Sequence, residues 1–125
     1  MTTILYIEDN EQNLYLVSFL LQRHGFAVTG ASDGRRGLEL ALAQPFDLIL
    51  LDIQLPGMNG YDVARALRSH SRLARTPIVA LTSYAMAGDR DKARLAGCDG
   101  YIEKPIDPDT FIAQLQPHLP PAEGG

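Results

Sequence analysis

Several things are nearly missing from this chain. Cysteine occurs once, at Cys98, so no intrachain disulfide can form and a reducing, cytoplasmic setting is expected. Cys98 stands beside Gly97 in a small-residue turn, where a buried, inert side chain is expected rather than a nucleophile. No apolar run approaches the length of a membrane span, and no signal-peptide pattern follows Met1. Basic charge is short as well: 11 Lys and Arg against 15 Asp and Glu leave a net charge of −4. Direct nucleic-acid binding, which calls for a basic face, is therefore not expected. His24, His70 and His118 show no metal spacing with carboxylates or with the cysteine and read as surface residues. There is no G-x-G-x-x-G fingerprint, no P-loop and no internal repeat. What remains is 125 residues, 46% hydrophobic and 21% charged, which suits one globular domain with a single substantial core.

The chain is organised around Asp47 to Gly60, DLILLDIQLPGMNG. Leu48 to Leu51 reads as a strand buried on both faces, as in the middle of a parallel sheet. The apolar run stops at Asp52, and Pro56, Gly57, Asn59 and Gly60 force a loop. Upstream, Thr3 to Glu8 is strand-like and Asn10 is placed to cap a helix running to about Arg23, closed by Gly25. Phe26 to Ala31 predicts a second strand, with Ser32 or Asp33 capping a second helix through Leu38, Ala41 and Leu42. Downstream, Tyr61 to about Ser69 reads as a helix. Arg65, Arg68, Arg72 and Arg75 on or after it suggest a solvated basic surface. Ile78 to Leu81 predicts a fourth strand ending at Thr82, Met86 to Leu95 a weakly apolar helix, and Tyr101-Ile102 a short fifth strand. Asp107 caps and Pro108 opens a last helix carrying Phe111, Ile112, Leu115 and Leu119. Strands alternating with helices imply a parallel α/β sheet covered on both faces. The domain is expected over residues 1–119, with 120–125 a flexible tail or linker.

In such a fold the strand C-termini share one edge, where ligands bind. That edge collects Glu8 and Asp9 from the first strand, Asp52 from the third, Thr82 from the fourth and Lys104 from the fifth. Three carboxylates crowded together repel unless a cation is present, and hard oxygen donors with room for water suit Mg2+. Lys104 is one of two lysines against nine arginines, and its ammonium is a compact charge able to touch both a carboxylate and a phosphoryl oxygen. Aspartate is a competent nucleophile for forming an aspartyl-phosphate. Phosphoryl transfer asks the protein mainly to position groups and neutralise the charge on the equatorial oxygens.

YIEDN (6–10), LLDIQLPGMNG (50–60), PIVALTSYAM (77–86) and GCDGYIEKPI (97–106) together closely resemble a two-component response-regulator receiver domain of the CheY-like superfamily. In pattern the chain is most similar to single-domain regulators and to receivers of hybrid histidine kinases. The resemblance implies a flavodoxin-like (βα)5 three-layer sandwich, strand order 2-1-3-4-5, and a cis Lys104-Pro105 bond. It implies that Asp52 is the phosphoacceptor, taking the group from a phosphohistidine on a histidine kinase or a histidine phosphotransfer protein. Glu8, Asp9, Asp52 and the main-chain carbonyl of Gln54 would hold Mg2+, with Mn2+ an alternative. Thr82 and Lys104 would contact the phosphoryl group, Thr82 and Tyr101 would form the switch, and Gln54 and Tyr84 would tune the lifetime. The output would be a protein-binding face over 86–119 on a monomer or weak dimer, with no membrane involvement. Such a chain is a signalling switch, not an enzyme acting on other substrates, although it catalyses its own aspartyl phosphorylation and dephosphorylation. Glu8 departs from the aspartate common at that position, which bears on metal affinity.

Competing classes fit less well. A haloacid-dehalogenase-like hydrolase would carry D-x-D after strand one, where this chain reads EDN. A flavodoxin-like cofactor binder would need a phosphate cradle there, and an acidic loop repels phosphate. A pseudo-receiver acting only as a binding module would have no use for the full acceptor set.

Overall fold

The computed structural model describes residues 1–55, 57–83 and 88–120. Pro56, Tyr84, Met86 and the 121–125 tail lie outside the described residues. The main sheet contains β1 (Thr3–Ile7), β2 (Ala27–Ala31), β3 (Leu48–Asp52), β4 (Ile78–Thr82) and β5 (Gly100–Glu103). All neighbouring pairs are parallel, in the order β2-β1-β3-β4-β5, as the 2-1-3-4-5 expectation has it. The helices are α1 (Glu11–Arg23), α2 (Gly34–Ala43), α3 (Gly60–Arg68), α4 (Asp89–Leu95) and α5 (Phe111–Leu115).

Strand periodicity divides the core into two layers. Ile4, Tyr6, Leu48, Leu50, Val79 and Leu81 face Val17 and Leu21 of α1 and Phe111 and Leu115 of α5. The alternate residues Leu5, Ile7, Ile49, Leu51, Ile78 and Ala80 pack with Ala41 of α2, Val63, Ala64 and Leu67 of α3 and Ala93 of α4. All five residues of β3 are buried, which is why its sequence is continuously apolar until the aspartate. Asn10 Oδ1 accepts from Asn13 N–H at 2.9 Å and Asp33 Oδ1 from Arg36 N–H at 2.8 Å. These two N-caps start α1 and α2, each stabilising its helix by about 1 kcal/mol.

After β3 the chain makes a small antiparallel hairpin, Gln54–Leu55 against Met58–Asn59, where the sequence predicted only a loop. Gly57 takes φ +70° at its tip, a left-handed conformation that glycine adopts without strain. Gly60 then passes so close to the Ile53 backbone that an added Cβ would collide with Ile53 Cα. The LPGMNG run thus folds the chain back over the end of β3. The Lys104-Pro105 peptide is cis.

Three expectations need correction. The last helix begins at Phe111, not Pro108: Asp107 Oδ1 accepts from Asp109 N–H at 2.9 Å, its carbonyl accepts from Thr110 and Phe111 N–H, and residues 108–110 form turns. Its end passes into a 3-10 turn, Gln116–His118, because Pro117 has no N–H to continue the α pattern. Arg68 is no solvated surface charge. Its side chain, 19% exposed, donates to the carbonyls of Gly97 (2.8 Å), Leu73 (2.7 Å) and Thr76 (2.6 Å) and to Asp99 Oδ2 (2.5 Å), while Arg72 donates to Leu42 O at 2.7 Å. Loop and helix-end carbonyls with a lone pair to spare attract such multi-donor side chains. His118, finally, is half-buried against Gly100, where an added Cβ would lie 2.6 Å from its Nε2.

Candidate functional site

The parallel sheet ends all its strands on one edge, and the predicted residues meet there. Asp52, the last residue of β3, is 2% exposed and Glu8, immediately after β1, is 1% exposed; Asp9 beside it is open to solvent. One carboxylate oxygen from each of Glu8, Asp9 and Asp52 lies within 4.8 Å of the other two. Lys104 enters from the end of β5, where its N–H donates to Thr82 O at 2.7 Å. Its Nζ sits 2.8 Å from Glu8 Oε1 and 3.2 Å from Asp52 Oδ2. Asp52 Oδ1 accepts from Gln54 N–H at 2.9 Å, so the hairpin that follows β3 also orients Asp52. Gln54 reaches across the cleft, its Oε1 accepting from Ser83 N–H at 3.1 Å.

The electrostatics follow from this crowding. Burial, and then Glu8 beside it, push the Asp52 carboxyl up to about 7 against the opposing pull of the Gln54 N–H and Lys104. Burial acts on Glu8 in the same direction, but hydrogen bonds from Asp52, Lys104 and Tyr6 outweigh it and hold Glu8 at about 2. The two carboxyls titrate as a pair, one of them well above the ordinary range. Burial works against the Lys104 ammonium, yet Glu8 and Asp52 more than compensate and raise its pKa. With one ammonium for three carboxylates the cluster is under-neutralised. Its hard oxygen donors, one of them exposed, suit a divalent cation that keeps part of its water shell.

Thr82 is buried at the end of β4, paired in register with Glu103. Tyr101 is half-buried with its hydroxyl enclosed. Burial, Asp89 and Glu103 raise the hydroxyl's pKa, while the Thr82 hydroxyl and the Arg90 guanidinium act the other way. Arg90 lies 5.0 Å from the centre of the Tyr101 ring. The residues proposed as a switch are therefore near neighbours on adjacent strands. Tyr84 lies outside the described residues.

Sequence reasoning missed Tyr6, which it counted only as part of an apolar strand. Its hydroxyl donates to Glu8 Oε1 at 2.9 Å. The available signal was spacing, since residues two apart on a strand share a face. Also unforeseen is an open groove of about 1080 Å3 between α1 and the segment after β5, lined by Leu16, Phe19, Tyr6, Lys104, Pro105 and Ile106 among others. Beside it α1 exposes Tyr15, Leu16 and Phe19.

Comparison with known proteins agrees with this geometry. Residues 4–116 match the family described as the response regulator receiver domain. The polar-differentiation response regulator DivK of Brucella anthropi is 37% identical over 117 residues, 94% of this chain and 95% of its own. The chemotaxis protein CheY4 of Vibrio cholerae superposes with a TM-score of 0.91 at 33% identity, covering 95% of this chain and 99% of that one. The receiver domain of the sensor histidine kinase PA1611 of Pseudomonas aeruginosa superposes with a TM-score of 0.85 at 35% identity, over 93% of this chain and 95% of its own, and carries a magnesium ion in its active-site cleft. Matched across nearly its whole length, and with its acidic residues gathered where the parallel strands end, the chain belongs to the response regulator receiver domains, the signalling switches of two-component systems.

Proposed function

We propose that Asp52 accepts a phosphoryl group from a phosphohistidine donor. The observation that carries this reading is the placement of Asp52 at the end of β3, held by Gln54 N–H and Lys104 and within reach of two further carboxylates. A carboxylate oxygen of Asp52 attacks phosphorus as the P–N bond breaks. The bonding pair returns to the imidazole nitrogen of the donor, which gains a proton. Lys104 exchanges its carboxylate contacts for a phosphoryl oxygen, and the Thr82 hydroxyl donates to another. Glu8, Asp9, Asp52 and the Gln54 main-chain carbonyl would hold Mg2+, or Mn2+ in its place. Bound there, the ion would neutralise both the carboxylates and the incoming oxygens. Hydrolysis of the aspartyl-phosphate by the chain itself would reset the switch. Gln54 and Tyr84 would screen the attacking water, so Tyr84→Ala should shorten the phosphoryl lifetime in a decay assay.

The exposed apolar face of α1 is where the donor docks in this reading. The groove beside it continues to Lys104, so a helix lying on Leu16 and Phe19 would bring its histidine to the cleft. The output leaves through the 86–119 face, of which 88–119 is described, toward a downstream protein. Residues 1–119 form the working unit, acting in the cytoplasm as a monomer or weak dimer. No helix among the described residues is long and apolar enough to cross a membrane.

The test is phosphoryl uptake measured by intact mass. With acetyl phosphate and Mg2+ the wild-type chain should gain one base-labile phosphate, and excess chelator should abolish the gain. Asp52→Asn should gain none; unchanged labelling of that variant would remove Asp52 from the role. Phe19→Ala should label normally with acetyl phosphate but accept phosphate from a phosphohistidine protein more slowly. Equal slowing with both donors would reject the docking face.

A further inference from the structure

Tyr6 is 0% exposed, set among Ile4, Leu48 and Leu50, where phenylalanine would pack with no polar atom to satisfy. A buried hydroxyl is retained at little cost only where it has a partner. Here the partner is one of the three clustered carboxylates, Glu8, at 2.9 Å. The same oxygen, Oε1, also accepts from Lys104 Nζ at 2.8 Å, while Oε2 has a long contact from Asn10 N–H at 3.4 Å. Among its fixed donors the two oxygens of Glu8 are thus unequal: Oε1 is engaged by Tyr6 and Lys104 and Oε2 by the long Asn10 contact, while Asp52 can add a hydrogen bond only as long as its carboxyl is protonated. A phenol is protonated throughout the neutral range, so the hydroxyl remains a donor there.

We propose that Tyr6 is a positioning residue whose hydroxyl pins Oε1 of Glu8 and leaves Oε2 to serve the metal, directly or through a water. The inference rests on the metal site proposed above and adds the element that orients its longest arm. A glutamate has one more rotatable bond than an aspartate, and the Tyr6 hydrogen bond removes that freedom. When Lys104 leaves Glu8 for a phosphoryl oxygen, Tyr6 stays on Oε1. The buried carboxylate then does not lose both of its strong donors at once. Partners of this kind, one bond removed from a metal, orient the ligand and tune its affinity.

The experiment is a calorimetric Mg2+ titration of the full chain at pH 8. Loss of the binding heat in Asp9→Ala assigns the heat to this cleft; binding insensitive to Asp9→Ala would overturn the metal site and this inference with it. With the site established, Tyr6→Phe should weaken Mg2+ binding about tenfold. In a Glu8→Asp background, where the shorter side chain falls back from the tyrosine, the same change should cost less than about twofold. Tyr6→Leu, which also lacks the hydroxyl, should match Tyr6→Phe. An unchanged Kd in Tyr6→Phe, an equal loss in both backgrounds, or a loss with leucine but none with phenylalanine would reduce Tyr6 to core packing and overturn the proposal.

Discussion

The acidic cleft and the α4–β5 edge lie on the same sheet but are held in opposite ways. In the cleft, the buried Glu8 and Asp52 and the half-buried Lys104 are bonded to one another and to Tyr6 and Gln54 N–H. At the edge, α4 buries Ala93 alone among its residues, and Leu95 is 77% exposed. Arg90 rests on Tyr101 at 5.0 Å through a cation–π contact, an interaction of about 0.5–1 kcal/mol at exposed sites. A tightly bonded cleft beside a lightly anchored edge suits the switch proposed above, with the edge as its output. Chemistry needs fixed geometry, whereas the element that moves must come from the low-stability end of the molecule.

The largest test of this contrast is mechanical. Leu50 is fully buried beneath the cleft, so Leu50→Ala should cost about 2–5 kcal/mol in urea unfolding. Leu95→Ala should change stability by no more than about 0.5 kcal/mol. Similar losses would mean that α4 is anchored as firmly as the core.

A metal titration sharpens the same comparison. Asp52 is raised in the folded chain from 3.8 to about 7. Between those values the unfolded state releases its proton while the folded state keeps it, so metal-free stability should fall as pH rises across that window. Glu8 acts in the opposite sense, adding stability as pH rises from about 2 to 4.5, below the window of Asp52. The raised Lys104 pKa contributes stability that is lost only as pH climbs above the ordinary lysine range. Metal binding needs the carboxylates deprotonated. Mg2+ at a hundredfold excess over its Kd should therefore stabilise the chain by about 2.7 kcal/mol at pH 8, and by much less at pH 5. Thermal melts at the two pH values decide it; equal stabilisation at both would place the ion elsewhere.

The smallest effect is the most specific. Beryllofluoride with Mg2+ should move amide resonances at 82–106 and in α5, as two packings exchange population. Thr82→Ala should leave Asp52 labelling intact but mute the distant shifts. Shifts confined to the cleft even in the wild type would make this chain a phosphoryl relay and not a switch.

Much of this was legible in the residues. The unbroken LILL run could belong to little else than a strand covered on both sides, and the aspartate after it had to sit at the sheet edge. Gly57 and Gly60 marked the loop correctly, but the hairpin within it depends on pairing Gln54 with Asn59, two residues of weak strand preference. The basic-surface reading fails at Arg68 because Gly97 and Asp99 reach it from 29 and 31 positions away, an approach no local pattern records, and close the side chain over the nearby carbonyls of Leu73 and Thr76. Tyr6 was overlooked for a related reason: an aromatic in an apolar strand announces burial, not the carboxylate at its tip.

The sequence by itself determined the alternation of strands and helices, the N-caps, and which charged residues end the strands, because periodicity, capping chemistry and turn residues act over a few positions. Only the tertiary structure decided that Lys104 would bridge Glu8 and Asp52 and that Glu8 would share one oxygen between Tyr6 and Lys104. It also decided that Thr82 and Tyr101 would become neighbours and that Arg68 would reach the Gly97 carbonyl and Asp99. Those contacts depend on strand order and register, set when distant segments pack together, and across the 96 positions that separate Glu8 from Lys104 there is no local trace of where they meet.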